Sequence, residues 1–206
     1  VTKPSLLLLG AGGHAKACID VIEQEDRFSI GGLIGLSIEV GSEVLGYPVL
    51  GTDDDVIKLL KEFRFALISI GQIKTSIHRI RLFNLLEQTG CTLPTVISPN
   101  AYVSKHANVG YGTIIMHGAV VNAGVTIKRN CIINSQSLVE HDSMVGDHCH
   151  IATGVTINSG VEIDNGTFIG SNTSVRQCVR IGENCVIGMG QRVLSDCEPG
   201  SCLPKI

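Results

Sequence analysis

Residues 133–158, "INSQSLVEHDSMVGDHCHIATGVTIN", hold three histidines, one cysteine and several acids. These are the side chains that ligate transition metals and that move protons near neutral pH. Such a stretch suits a metal site, an acid–base cluster or a run of turns. His141 stands between Glu140 and Asp142, and a carboxylate beside an imidazole fixes its tautomer and stabilises its cation, as a general base requires. A second candidate is "LLLLGAGGHAKACID", residues 6–20. Gly10, Gly12 and Ala15 fall near the positions of a dinucleotide fingerprint, where glycines let backbone N–H groups approach a phosphate at a helix N-terminus. A tight strand–helix turn also wants glycine, so both readings stand.

The elements that must carry these residues fall into two grammars. Residues 1–96 alternate strand and helix signals. "SLLLLG", "SIGGLIG" and "FALISIG" are strand candidates; "HAKACIDVIEQE", "TDDDVIKLLKEF" and "IHRIRLFNLLEQTG" are helix candidates. Thr52 is placed as an N-cap, with acids in the first turn. That alternation predicts a small parallel sheet of Rossmann type over 1–96. The acid that a dinucleotide site needs at the end of the second strand is missing, because Gly35, Leu36 and Ser37 occupy it. A dinucleotide therefore fits poorly.

From residue 97 a six-residue period takes over. Every sixth residue from Ile97 to Val193, seventeen in all, is Ile or Val. Neither the helix period nor plain strand alternation gives this; a fixed hexad is a β-helix signature. Four residues after the aliphatic sits a small filler, among them Ser143 and four of the eight cysteines: Cys131, Cys149, Cys185 and Cys197. Three residues after it comes a corner. The sixteen corners from Asn100 to Gly190 hold seven Gly, four Asn, two His and one Asp, residues that tolerate positive φ; only Gln136 and Cys178 depart. Three strands per coil make an 18-residue turn and stack Ile97, Ile115, Ile133, Ile151, Ile169 and Ile187 in one column. The run amounts to about five and a half coils over 97–206, with no inserted loop.

The frame sorts the histidines. His148 and His106 are corners, Cys149 is a filler, and His150 takes an outward position shared with Ile114, Ile132 and Phe168. His141 sits on an outward corner where nothing structural asks for imidazole; His117 shares its place but lacks the acidic flanks. No metal site is expected, since the cysteines are irregularly spaced and no CxxC occurs.

Composition narrows the function class. The 206 residues carry a net charge near −3, which gives no basic footprint for nucleic acid. The eight cysteines read as reduced thiols of a cytoplasmic protein. "LLLL" is too short for a membrane span or a secretory signal.

The chain resembles the hexapeptide-repeat acyltransferases, and within them the NeuD/PglD-like bacterial sugar acetyltransferases. The markers are "LLGAGGHAK", "GYPVLG", "SIGQ", "INSQSLVEHD" and the hexads. The resemblance implies a left-handed parallel β-helix, a homotrimer with sites between neighbouring prisms, and acetyl-CoA as co-substrate. Acetyl transfer would go to the 4-amino group of a nucleotide-linked amino sugar, expected to carry UDP, or alternatively to a hydroxyl of sialic acid. The resemblance implies His141 as base, held by Asp142 or Glu140, with Asn134 seven residues upstream. His150 would lie near the acetyl group, and it or a backbone N–H would stabilise the thioester oxyanion. CoA would line Ser159, Gly160, Gly170, Ser171, Gly188 and Gly190. The nucleotide sugar would meet Gly10, Gly12, Gly13, His14, Gly71 and Gln72, although acids common in relatives are Leu36 and Ser37 here. A closing GxPAK-like segment is also implied, of which "PGSCLPKI" keeps Pro204 and Lys205. A non-enzymatic β-helix is the remaining alternative; its mixed outward columns argue against an ice-binding surface.

Overall fold

The structure, a computed structural model, describes residues 2–204; Lys205 lies outside them. In the N-terminal part, β1 (Ser5–Leu9) is followed by α1 (Gly13–Glu25), β2 (Ser29–Ile34), β3 (Glu43–Val44), β4 (Tyr47–Gly51), α2 (Val56–Leu59), β5 (Phe65–Ile68) and α3 (Ile77–Gln88). The sheet order is β3-β4-β2-β1-β5. The pairs β1–β2, β1–β5 and β2–β4 are parallel, while β3 pairs antiparallel with β4. The expected small parallel sheet is present, with a two-residue antiparallel strand at one edge. The stretch containing "GYPVLG" forms a hairpin that adds a fourth parallel strand and a two-residue antiparallel one.

Helix α1 buries Ala15, Cys18, Ile19 and Ile22, which share one face at helical spacing. It ends where Asp26 turns left-handed at φ 61° and donates its N–H to the Ile22 carbonyl at 3.0 Å. The helix predicted from Thr52 onward is only four residues long. Asp55 accepts hydrogen bonds from the N–H (2.9 Å) and hydroxyl (3.2 Å) of Thr52, which holds residues 53–55 in a 3₁₀ turn instead.

The hexads form a left-handed parallel β-helix of two-residue rungs. Three sheets of five, six and seven strands run along its faces, each rung paired with the rung 18 residues away. The stacked aliphatics fill the prism. Ile115, Ile133, Ile151, Ile169 and Ile187 are fully buried, as are Val121, Val139, Ile157 and Val175. Stacked identical shapes leave few voids. The last coil is shorter: Ile181 pairs with Cys197 and Val186 with Cys202, 16 residues on.

The corners are made by backbone hydrogen bonds to the coil beneath. Gln136 N–H donates to His117 O (3.0 Å), Asp142 to Ala123 (3.3 Å) and His148 to Arg129 (2.8 Å). Fourteen of the sixteen expected corners have positive φ, including the two exceptions by composition, Gln136 (59°) and Cys178 (58°). The two that do not are Asn100 and His106. Both lie in the first coil, with no coil beneath. Their N–H groups donate instead to the hydroxyls of Ser98 (3.0 Å) and Ser104 (3.2 Å).

The two parts share one core. Helix α1 and one sheet face pack with Val96, Ile114, Met116 and Ile132 of the prism. Helix α3 covers the other sheet face with Leu82, Phe83 and Leu86. It also sets Phe83 against Tyr111 and edge-on to His148, 5.1 Å away. Among the described residues no helix is long and apolar enough to cross a membrane.

Candidate functional site

His141 follows the rung Leu138–Val139, on a corner where its side chain is 59% exposed. Its Nδ1 lies 2.8 Å from Asp142 Oδ2. Asp142 reaches back to its neighbour because its backbone is left-handed, φ 61°. An Nδ1–H donated to that carboxylate leaves the Nε2 lone pair facing solvent, the form a general base needs. Glu140 is placed differently: its Oε2 accepts from the backbone N–H of His141 (3.3 Å) and from Asn122 Nδ2 (2.9 Å). The frame-mate His117 is fully engaged, with Nδ1 2.6 Å from Ser98 Oγ and Nε2 2.8 Å from Asp20 Oδ2 of α1. It pins the two parts together.

The second group lies in the seam between sheet and prism. His150 is outward on the prism yet only 7% exposed, because the N-terminal part covers that face. Its Nδ1 is 2.7 Å from the carbonyl oxygen of Gln72, which can only accept, so Nδ1 carries the proton. Burial, with the nearby Arg79 cation, lowers His150 to about 4 despite that bond. The ring is therefore neutral near pH 7, and its Nε2 is an acceptor, 3.3 Å from Asn134 Nδ2. In this arrangement one ring nitrogen has its proton committed to Gln72 and the other is an acceptor. Asn134 is likewise turned toward His150 and away from the acids beside His141. Its Oδ1 accepts the Ser135 N–H at 2.8 Å.

Arg79 is buried in the same seam without a carboxylate. It donates to the carbonyls of Ile68 (3.2 Å), Ile70 (2.6 Å) and Asn130 (3.0 Å) and to Asn130 Oδ1 (2.7 Å). Desolvation pushes it down to about 10, still a cation at neutral pH. Burial, Arg79 and His150 together lower His14 to about 3. The His14 and His150 rings are 6.2 Å apart, and His14 Nε2 is buried without a partner.

Beside His14 opens a cleft of about 720 Å³. Its floor is the glycine loop: Gly10, Ala11, Gly12, Gly13 and His14. Gly10, at φ 128°, is required by the fold, since a Cβ there would lie 2.6 Å from Ile70 Cγ1. Gly12 and Gly13 face open space, with nothing within 4 Å of a built Cβ. Gly71 lines the cleft, as do Leu36 and Ser37. Gln72 does not: its Nε2 donates to the Gly166 carbonyl at 3.1 Å, tying the loop to the prism. The same cleft is also lined by Glu39, Asp53 and Asp54, with Thr52 and His78; Glu39 accepts the Leu36 N–H at 2.7 Å and Asp53 pairs with Arg81. From the sequence, Asp53 and Asp54 read as first-turn acids of a helix, not as cleft residues.

The expected CoA-lining residues divide in two. Gly160 (φ 66°) and Gly190 (φ 69°) are corners, next to Ser159 and Ser171. Gly170 and Gly188 are packing glycines. A Cβ on Gly170 would meet Met189 N at 2.5 Å, and one on Gly188 would meet Leu203 O at 3.0 Å.

Residues 5–83 match the PglD N-terminal domain, and residues 124–159 and 160–190 match the bacterial transferase hexapeptide repeats. PerB from Caulobacter crescentus, solved with CoA and GDP-perosamine, superposes with a TM-score of 0.89 at 27% identity, covering 96% of this chain and 92% of that one. The acetyltransferase domain of PglB from Neisseria gonorrhoeae FA1090, in complex with acetyl coenzyme A, gives 0.86 at 27% identity, covering 97% and 95%. WeeI from Acinetobacter baumannii AYE shares the fold, at 0.85 and 24% identity over 97% and 96%. The chain thus joins a PglD-type N-terminal domain to bacterial transferase hexapeptide repeats, and in that architecture it is similar to the NeuD/PglD-like sugar acetyltransferases.

Proposed function

We propose that the protein transfers the acetyl group of acetyl-CoA to the 4-amino group of a nucleotide-linked amino sugar, with His141 as general base. The carrying observation is the 2.8 Å contact between His141 Nδ1 and Asp142 on an exposed corner that the fold does not need it to occupy. The neutral amine attacks the thioester carbonyl. As the C–N bond forms, Nε2 takes the amine proton and Asp142 stabilises the imidazolium. Collapse of the tetrahedral centre breaks the C–S bond, and the imidazolium returns the proton to the departing CoA thiolate. No residue becomes covalently modified.

The sugar's nucleotide would lie in the cleft. Its phosphates would face the N–H groups at Gly12 and Gly13, where the start of α1 favours negative charge. The glycines Gly160, Gly170, Gly188 and Gly190, with Ser159 and Ser171, are the proposed CoA groove, and the division at 96/97 separates acceptor binding from acyl transfer. The PerB neighbour was solved with a GDP sugar, so GDP joins UDP as a carrier to test. Within one chain, His141 follows a rung of the six-stranded sheet, whereas His150 is in the seven-stranded sheet, in the seam behind the cleft residue His14. A homotrimer would set the corner of one prism against the cleft of the next, so that each complete site would draw on two chains. A cytoplasmic location accords with the eight free thiols.

The test measures thiol release from acetyl-CoA with UDP- and GDP-linked 4-amino sugars and with free sialic acid. Activity with an amino-sugar nucleotide is expected, and His141→Ala should lower kcat by about 10²–10⁴ with the oligomer retained. Full activity of that variant refutes His141 as base. Turnover of sialic acid alone shifts the assignment to O-acetylation.

A further inference from the structure

We propose that Asn122 is a positioning residue for acetyl transfer, acting through Glu140 from the coil beneath the catalytic corner. The inference rests on the reading of His141 as general base. Register places Val121 directly under Val139, so Asn122 lies under Glu140 and Gly124 under Asp142. Asn122 Nδ2 donates to Glu140 Oε2 at 2.9 Å, and the same oxygen accepts the His141 N–H at 3.3 Å. Together the two donors fold the Glu140 carboxylate back onto the coil. Asp142 is then the carboxylate in contact with Nδ1.

The coil beneath is shaped around Asp142 as well. A Cβ on Gly124, whose φ is +77°, would sit 2.4 Å from Asp142 Oδ1. The Asn122 contact is no general feature of the column. One coil above Glu140, Asn158 turns its amide to the Val175 carbonyl at 2.6 Å. Two flanking acids have thus been given two tasks: Asp142 fixes the tautomer, and Glu140, tethered by Asn122, braces the backbone of the residue between them. Without the tether, Glu140 is free to swing toward the imidazole and compete for Nδ1–H, which turns Nε2 away from the acceptor amine.

The test is a double-mutant cycle on steady-state kinetics with the acceptor established above. Asn122→Ala should lower kcat about tenfold, the scale of one hydrogen bond to a charged group. KM for both substrates should stay within about twofold, since Asn122 touches neither; tenfold is the kcat change expected. In a Glu140→Gln background, Asn122→Ala should change kcat less than about twofold, because the carboxylate through which it acts is gone. The isosteric Asn122→Asp, which removes the donor without emptying the site, should reproduce the loss, and it keeps the test open if the alanine variant fails to fold. Unchanged kcat in both variants, equal losses in both backgrounds, or a change confined to KM overturns the proposal. His141→Ala run in parallel separates the two readings: if it stays active, the base assignment fails, whatever Asn122 does.

Discussion

Acidification should loosen the seam between the sheet and the prism by an amount set by two histidines. Burial and the Arg79 cation hold His150 at about 4 and His14 at about 3, against 6.5 for a free imidazole. For a histidine lowered in the folded state, the unfolded chain binds the proton first as pH falls. Stability is therefore full above about 6.5 and declines through the window down to the folded value. At pH 5 each ring is one and a half units below 6.5 and still neutral in the native protein. At about 1.4 kcal/mol per unit, each contributes a loss of about 2 kcal/mol, and the pair about 4. The assay is urea unfolding followed by far-ultraviolet circular dichroism at pH 7 and pH 5. His150→Gln removes one titrating group, so its loss between the two pH values should be about 2 kcal/mol smaller than that of the wild type. An identical pH dependence in the two proteins would refute the reasoning, since it would mean that His150 accepts a proton in the folded seam without cost.

Three further expectations test the fold. Ile151→Ala removes a fully buried member of the isoleucine column and should cost about 2–5 kcal/mol, measured by chemical denaturation. Gly170→Ala should destabilise more than Gly190→Ala. The first drives a Cβ to within 2.5 Å of backbone, and the second only strains a corner open to solvent, by about 1–2 kcal/mol; thermal melting of both variants decides it. Gln72→Ala removes the donor to the Gly166 carbonyl and should cost about 1–3 kcal/mol, with little change in KM for the nucleotide sugar if the side chain lies outside the cleft.

The prism was legible because its signal repeats. Each Ile or Val of the hexad occupies the same environment as the residue 18 positions away, so seventeen weak preferences add into one frame. The same frame separated His141 from His148 without coordinates. Asn100 and His106 remain turns but do not take the left-handed φ of the later corners, because their N–H groups donate to the hydroxyls of Ser98 and Ser104 and not to the carbonyl of an earlier coil. The antiparallel edge strand was missed because two residues carry no period. Glu39, Asp53 and Asp54 were not foreseen as cleft residues because they are distant along the chain from the glycine loop and meet it only when β2, β4 and the 3₁₀ turn are in place.

By itself, the sequence determined the β-helix, its coil length, its fillers and corners, and the catalytic candidate with its adjacent acid. All of these follow from local spacing. Only the tertiary structure decided what His150 is. Its sequence position is outward, and in an isolated prism it would be a solvated, titratable ring. The N-terminal part buries it, the Gln72 carbonyl accepts a hydrogen bond from its Nδ1–H and Arg79 opposes its charge, so it is held neutral with Nε2 as an acceptor. The physical reason is that a protonation state depends on desolvation and on charges brought from residues some 70 positions away, and the period of a repeat carries no record of either.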